Sequence, residues 1–131
     1  MIVDISAVLA ILLEESEAAL FSAAIGAAPG SRLAAGSWVE LAAVGTRRFD
    51  VRLFENLYDT VSRMQLIVAP ATVRQAQLAH EAYRRFGIGS GHRARLNLGD
   101  CFSYALAMEA GEPLLFKGDD FVHTDVMSAI A

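Results

Sequence analysis

The stretch Met1-Ile2-Val3-Asp4-Ile5-Ser6 is a short apolar run interrupted by one carboxylate, and a helix-like segment, residues 7–15, follows it. Such a run predicts a buried strand over residues 2–5, with Asp4 at its carboxyl end. In open α/β sheets, ligand sites form outside the carboxyl ends of the strands. The competing interpretation is that Asp4 or Ser6 only caps the following helix, with Ser6 as the expected N-cap.

The composition predicts one globular domain over residues 1–131. The chain is 54% hydrophobic and 20% charged, which is typical of a folded protein. Its net charge of −4 argues against a global basic field for nucleic acid. The start of the chain has no basic region before its apolar run, no run is long enough to span a bilayer, and the single Cys101 cannot form an internal disulfide. We therefore expect a cytoplasmic protein with no membrane contact.

Hydrophobic patterning predicts an alternation of strands and helices along the chain. The predicted strands are 2–5, a weak one at 32–35, 65–69 and 114–116, of which 65–69 is expected to be buried. The predicted helices are 7–15, 16–27, 37–47, 51–64, 73–86 and 98–110. This order indicates an α/β fold, in which a parallel sheet is covered by helices on both faces.

Two of the predicted helices carry apolar stripes at helical spacing. In 51–64 the stripe is Phe54, Leu57, Tyr58, Val61 and Met64. In 73–86 it is Ala76, Ala79, His80, Tyr83 and Phe86. This second stripe makes His80 a packed core histidine rather than a ligand.

Acidic residues recur where predicted elements begin or end, and they are Asp4, Glu40, Asp100 and Asp120. Two of them also have structural explanations, because Ser37-x-x-Glu40 is a capping-box pattern and Asp100 suits the first turn of a helix capped by Asn97. Four converging carboxylates would raise one another's pKa values unless a cation intervened. Oxygen ligands without His or Cys favour Mg²⁺ or Mn²⁺. The pattern is therefore typical of metal-assisted phosphodiester cleavage.

One loop, residues 87–95, is both glycine-rich and basic. It matches no complete phosphate-binding motif. A flexible solvated connection explains it as well as a phosphate contact does.

These acidic positions and their neighbours resemble the PIN-domain ribonucleases, and specifically the VapC-type toxins of bacterial toxin–antitoxin pairs. The resemblance covers essentially the whole chain and is carried by Ile2-Val3-Asp4-Ile5-Ser6-Ala7, Ser37-Trp38-Val39-Glu40, Leu96-Asn97-Leu98-Gly99-Asp100-Cys101-Phe102-Ser103-Tyr104 and Leu114-Leu115-Phe116-Lys117-Gly118-Asp119-Asp120-Phe121. It implies a three-layer α/β/α PIN-like domain with a central parallel sheet. It also implies an endoribonuclease toxin that uses Mg²⁺, with Mn²⁺ as a substitute, and that a VapB-like antitoxin wraps and inhibits.

Carried over residue by residue, the resemblance places Asp4, Glu40 and Asp100 in a catalytic metal site. Asp120 is the fourth acidic position, but Asp119 stays open as its substitute, because Gly118 stands where many relatives have Asp or Asn. Asp4 and Asp100 are the expected principal ligands, Asp120 is a further ligand, directly or through water, and Glu40 binds metal or orients the attacking water. Ser6 matches a small hydroxyl residue that supports the site. RNA needs local positive charge, and the candidates are His92, Arg93, Arg95 and Lys117, with Arg84 and Arg85 behind them.

Two other functions compete with this interpretation. The first is a PIN nuclease of RNA maturation that has no antitoxin. The second is a non-enzymatic α/β module of the receiver type, which is disfavoured because the run 66–68 ends in Ala69-Pro70 with no acid.

The first two helices and helix 51–64 carry more apolar residues than the core of a small domain obviously needs. We expect them to line a groove that binds an antitoxin helix, with Leu13 and Phe54 exposed in it. A second apolar face would make a homodimer or a toxin–antitoxin hetero-oligomer. The competing interpretation is that these residues serve the domain's own core.

Overall fold

The computed structural model describes residues 1–130, and its strands form a four-stranded parallel sheet in the order β3-β2-β1-β4. The strands are β1 (Ile2–Val3), β2 (Arg32–Ala34), β3 (Ile67–Ala69) and β4 (Leu114–Leu115). The register pairs Ile2 with Arg32 on one side and with Leu114 on the other. The predicted parallel sheet is therefore confirmed.

Within residues 1–130 six α-helices cover the sheet: α1 (Ile5–Leu12), α2 (Ala18–Gly26), α3 (Ala35–Arg48), α4 (Val51–Arg63), α5 (Val73–Phe86) and α6 (Leu98–Ala110). A short 3₁₀ helix, Phe121–His123, follows β4. No helix in this part of the chain is both long and apolar enough to cross a membrane.

The core lies in two layers, one on each face of the sheet. Successive side chains of a strand point to opposite faces, so Ile2 and Val3 enter different layers. Ile2 packs in a cluster with Phe86 of α5 and Leu106 of α6. Val3 packs in the other cluster, with Val8 of α1 and Leu57 of α4. Helices on both faces of a parallel sheet make the predicted three-layer α/β/α fold, which is confirmed.

The two edges of the sheet differ in how they are covered. The prediction that β3 is buried is wrong, because Ile67 is 53% exposed and β3 pairs with β2 alone within residues 1–130. The outer edge of β4 is covered by the tail of the chain. The Leu114 N–H donates to Met127 O at 2.8 Å, and the Ala129 N–H donates to Leu114 O at 2.9 Å. Ala131 lies outside the described residues.

Of the two predicted helix stripes, that of α4 is correct at Leu57 and Val61, which are buried, but not at Tyr58, which is 41% exposed. On α5 the prediction is wrong, because the buried residues are Gln75, Ala82 and Phe86, while His80 is exposed. Gln75 can be buried because its polar group is satisfied. Its Nε2 donates to a Glu109 carboxylate oxygen at 2.6 Å and to the Pro70 carbonyl at 3.2 Å.

Candidate active site

Asp4 directly follows β1, and its side chain also caps α1. Its Oδ2 accepts the Ser6 N–H at 2.9 Å and the Ser6 hydroxyl at 2.6 Å. Its Oδ1 accepts the Ser103 hydroxyl at 2.6 Å, and the residue is only 3% exposed. Ser6 is therefore not the N-cap that the sequence suggested. It is instead a hydrogen-bond donor to the carboxylate that caps the helix.

Asp100 lies in the first turn of α6, where the predicted cap is confirmed. The Asn97 side chain accepts the Asp100 N–H at 2.9 Å, and the Asp100 carboxylate accepts the Asn97 N–H at 2.8 Å. Burial raises the pKa of Asp100 to about 7, and the charges of Asp4, Asp120 and Glu40 add to this shift while the Asn97 N–H opposes it. The four acidic residues named in the sequence therefore act on one another electrostatically.

Glu40 lies in the second turn of α3 and points toward α6. The predicted Ser37–Glu40 capping box is wrong, because α3 begins at Ala35 and Ser37 is buried. The Glu40 carboxylate instead occupies the space beside Gly99, where a Cβ would overlap it. Burial raises the pKa of Glu40, and the nearby charge of Asp4 raises it further.

The fourth acidic position lies in the turn after β4, where Asp119 and Asp120 are both exposed. The charge of Asp120 is among those that raise the pKa of Asp100, which favours Asp120 as the member of the cluster. Gly118 has φ +96°, a left-handed conformation that favours glycine over residues with a Cβ. The backbone conformation of this turn thus favours glycine at position 118, where many relatives have Asp or Asn.

Four carboxylates and no nitrogen or sulfur ligand form a donor set that fits a hard divalent cation. Within residues 1–130, however, no three acidic, histidine or cysteine side chains stand close enough together to hold a metal ion. Mg²⁺ in proteins usually has one or two carboxylate ligands, and water or substrate supplies the rest. The donor chemistry of these carboxylates thus suits a hard divalent cation whose remaining ligands come from water or substrate.

Two of the predicted RNA-binding residues already have partners within the protein. The Lys117 ammonium pairs with Glu15 and, at 3.2 Å, with Glu17, while its backbone N–H donates to the Ser6 hydroxyl at 3.0 Å. His92 accepts the Ala94 N–H on Nδ1 at 3.1 Å, and its ring packs edge-on against Phe86. Both side chains thus make structural contacts within the protein.

The other basic candidates fall into two groups, those with a partner in the protein and those that are exposed. Arg84 pairs with Glu81, and Arg85 pairs with Asp125 while lying over the Phe86 ring. Arg93 and Arg95 are exposed on the loop that leads into α6. These two arginines are therefore the best placed of the predicted RNA-binding residues.

Two serines that were not among the predicted site residues form a hydrogen-bonded pair that ends on Asp4. Ser37 and Ser103 are both 0% exposed, and their hydroxyl oxygens are 3.0 Å apart. Their spacing was the available signal, since Ser37 stands three residues before Glu40 and Ser103 three residues after Asp100. Residues at this spacing share one side of a helix.

A groove of about 590 Å³ lies between α1, α2 and α4, which are the helices expected to form one. Ile11, Leu12, Ile25 and Met64 contribute its apolar lining. Phe54 is not in the groove, because its ring packs against Gly45 of α3. Leu13 is 44% exposed but is not part of the lining either.

Comparison with known proteins agrees with this architecture. The chain matches the family model of the PIN domain over residues 1–127. It is 47% identical to Ribonuclease VapC28 of Mycobacterium tuberculosis over 130 residues, which cover 99% of this chain and 98% of that protein. Ribonuclease VapC42 of the same species is 48% identical over 132 residues, or 98% of each chain. Ribonuclease VapC of Mycolicibacterium smegmatis is 43% identical over 126 residues, which cover 96% of this chain and 97% of that protein. The chain therefore belongs to the PIN-domain family, within the group of VapC ribonucleases.

Proposed function

We propose that the protein is a metal-dependent endoribonuclease toxin and that Asp4, Glu40, Asp100 and Asp120 form its catalytic centre. The observation that carries the proposal is the meeting of the elements that bear the carboxylates: Ser103 of α6 bonds Asp4, and the Glu40 carboxylate lies against Gly99, next to Asp100. The charges of the other three carboxylates accordingly contribute to the raised pKa of Asp100. Carboxylates that repel one another in this way bind a cation favourably, because the cation removes the repulsion. Strongly shifted pKa values also cluster at functional sites.

The roles of the four carboxylates follow from their surroundings. Asp4 and Asp100 are the principal Mg²⁺ ligands, because hydrogen bonds from Ser6, Ser103 and Asn97 hold both carboxylates in place. Asp120 is exposed and would hold the cation directly or through water, whereas Glu40 would hold the cation or orient the attacking water. A bound Mg²⁺ would activate that water and neutralise charge at the scissile phosphate.

The proposed substrate is RNA with exposed, unstacked nucleotides, which offer their backbone and bases to an open site. The net charge of −4 means that local cations must hold it. Arg93 and Arg95 serve this purpose, because they are exposed a few residues before Asp100 in the chain. Lys117 has a smaller part, because Glu15 and Glu17 already bind its ammonium group.

A VapB-like antitoxin is the proposed partner, and the groove between α1, α2 and α4 is its proposed docking site. The apolar residues of the groove alternate with polar ones such as Asn56, Thr60 and Arg63, and a mixed lining of this kind fits an amphipathic helix that brings both apolar and polar side chains. The complex would assemble in the cytoplasm as a hetero-oligomer, with a homodimer of this chain as the toxin part. The alternative, a PIN nuclease without an antitoxin, uses the same carboxylates but leaves the groove without a role.

The test is to purify the protein free of antitoxin and to map the cleavage ends that it produces on total RNA with Mg²⁺ and with a chelator. We expect discrete ends that appear only with Mg²⁺ and that disappear when the antitoxin is added. Ends that form equally well in the chelator would contradict metal-dependent cleavage.

A further inference from the structure

Two buried hydroxyl groups form a chain of hydrogen bonds that ends on the Asp4 carboxylate. Ser103 Oγ donates to Asp4 Oδ1 at 2.6 Å, and the hydroxyl oxygens of Ser37 and Ser103 are 3.0 Å apart. A serine hydroxyl has one proton to donate, and that of Ser103 goes to Asp4. Ser37 must therefore be the donor to Ser103. The chain runs from Ser37 through Ser103 to the carboxylate.

This pair of serines connects the elements that carry the carboxylates. Ser37 shares α3 with Glu40, and Ser103 shares α6 with Asp100. The two helices also touch directly beside the pair, because a Cβ at Gly36 would overlap the Phe102 ring. The hydroxyl pair therefore joins α3 to α6 at the point where both face the end of β1.

The same bonds determine which part of Asp4 is available to a cation. An ionised carboxylate has about four acceptor positions. The Ser6 N–H and hydroxyl use the two on Oδ2, and Ser103 uses one on Oδ1. Among the bonds made by residues 1–130, one acceptor position is left over, and it lies on Oδ1.

We propose that Ser37 and Ser103 are positioning residues, which orient Asp4 so that Oδ1 faces the cation and which hold Glu40 and Asp100 around it. The inference rests on the proposed function, because it takes Asp4 to be a metal ligand. Neither serine touches the substrate. Hydrogen bonds to a metal ligand of this kind typically change metal affinity by about 10- to 100-fold.

The experiment measures Mn²⁺ affinity by calorimetry without RNA or antitoxin, together with the stability of each variant against denaturant. Ser103→Ala removes the bond to Asp4, so we expect Mn²⁺ affinity to fall by about 10-fold or more. Ser37→Ala keeps the Ser103–Asp4 bond, so we expect its loss of Mn²⁺ affinity to be smaller than that of Ser103→Ala. The double variant binds Mn²⁺ no more weakly than Ser103→Ala alone, because Ser37 acts only through Ser103.

Ser31→Ala is the matched control. Ser31 is 2% exposed, and its hydroxyl donates to the Ala28 carbonyl at 2.7 Å. This variant also loses a buried serine hydrogen bond, but outside the carboxylate cluster. We expect it to lose stability with unchanged Mn²⁺ affinity, whereas Ser103→Ala changes both.

The outcomes separate the inference from the proposed function. If the wild-type protein binds no Mn²⁺, the proposed function fails and the inference fails with it. If the wild type binds Mn²⁺ and folded Ser103→Ala binds it equally well, the inference alone is wrong. Should Ser103→Ala not fold, Ser103→Cys keeps the volume with a weaker donor, and undiminished Mn²⁺ affinity in that variant overturns the inference equally.

Discussion

Asp100 is a single residue in which a proton and a cation compete for the same carboxylate. Burial, and after it the charges of Asp4, Asp120 and Glu40, bring its pKa to about 7, despite the opposing hydrogen bond from Asn97. Metal ligands must be deprotonated, so metal affinity depends on pH wherever a ligand titrates. Both the stability and the metal affinity of the protein should therefore respond to pH through this residue.

The pH dependence of the stability of the metal-free protein tests the raised pKa of Asp100. The folded pKa of Asp100 lies above its ordinary value of 3.8, so its contribution to stability is complete below about pH 4 and is lost as the pH rises through about 7. Asp100→Asn has no such titration. The free energy of unfolding of the variant, measured relative to the wild type, should therefore rise by about 2 kcal/mol between pH 4 and 7.5. This figure is discounted for solvent screening. Denaturant unfolding at several pH values measures this, and parallel pH curves for the two proteins would contradict it.

Gly99 offers a second test at this scale, because the Glu40 carboxylate fills the place of its missing side chain. Gly99→Ala should push Glu40 away from Asp4 and Asp100 and lower RNA cleavage by at least about 10-fold, as expected for a displaced catalytic group. Stability should stay level or rise by at most about 1 kcal/mol, since alanine is the better helix former. Gly26→Ala, where a Cβ meets nothing within 4 Å, is the control and should cleave normally. Wild-type cleavage by Gly99→Ala would show that the position of Glu40 does not matter.

At the scale of elements, the ends of strands were predictable and the faces of helices were less so. The apolar run of β1 and its terminal Asp4 follow directly from hydrophobic patterning. The start of α3 did not, because Ala35 was assigned to the weak strand 32–35 and Ser37 looked like the better cap. The helix begins at Ala35 without any side-chain cap, which leaves Ser37 free to bond Ser103 in the core.

The neighbours of an element decide its exposure, and they are not encoded in its own sequence. The apolar run Ile67–Ala69 reads as a buried strand, yet β3 lies at the edge of the sheet. The stripe of α5 was misplaced because Gln75 looks polar but is satisfied by Glu109 of α6. Hydrophobic periodicity cannot reveal a polar group whose partner comes from a distant part of the chain.

The groove between α1, α2 and α4 is the proposed antitoxin site, so a side chain that fills it should block antitoxin binding. Ser22 of α2 lines the groove and is exposed, so Ser22→Arg fills it without disturbing the core. We expect this variant to lose antitoxin binding while it keeps RNA cleavage. Ala23→Arg places the same side chain on the next exposed residue, outside the groove lining, and should bind normally. Native antitoxin affinity of Ser22→Arg, measured by calorimetry, would mean that the antitoxin docks elsewhere.

In the whole molecule, the carboxylate cluster and the groove are built from different elements. The cluster comes from the end of β1, from α3 and α6, and from the turn after β4, while the groove comes from α1, α2 and α4. Lys117 joins the turn after β4 to the α1–α2 connection through Glu15 and Glu17. The parallel topology could be predicted because it follows from the order of elements, but this tie across the molecule could not.

Asp4, Glu40, Asp100 and Asp120 are proposed to form one site for divalent cations, and Asp100→Asn removes a principal ligand of that site. Asparagine keeps the shape of the side chain and can still accept the Asn97 N–H, so the variant should fold as the wild type does. Mn²⁺ binding and RNA cleavage are to be measured on the same antitoxin-free preparations of both proteins. We expect the wild type to bind Mn²⁺ and to cleave RNA, and folded Asp100→Asn to do neither. Cleavage by folded Asp100→Asn at the wild-type rate would contradict the proposed site.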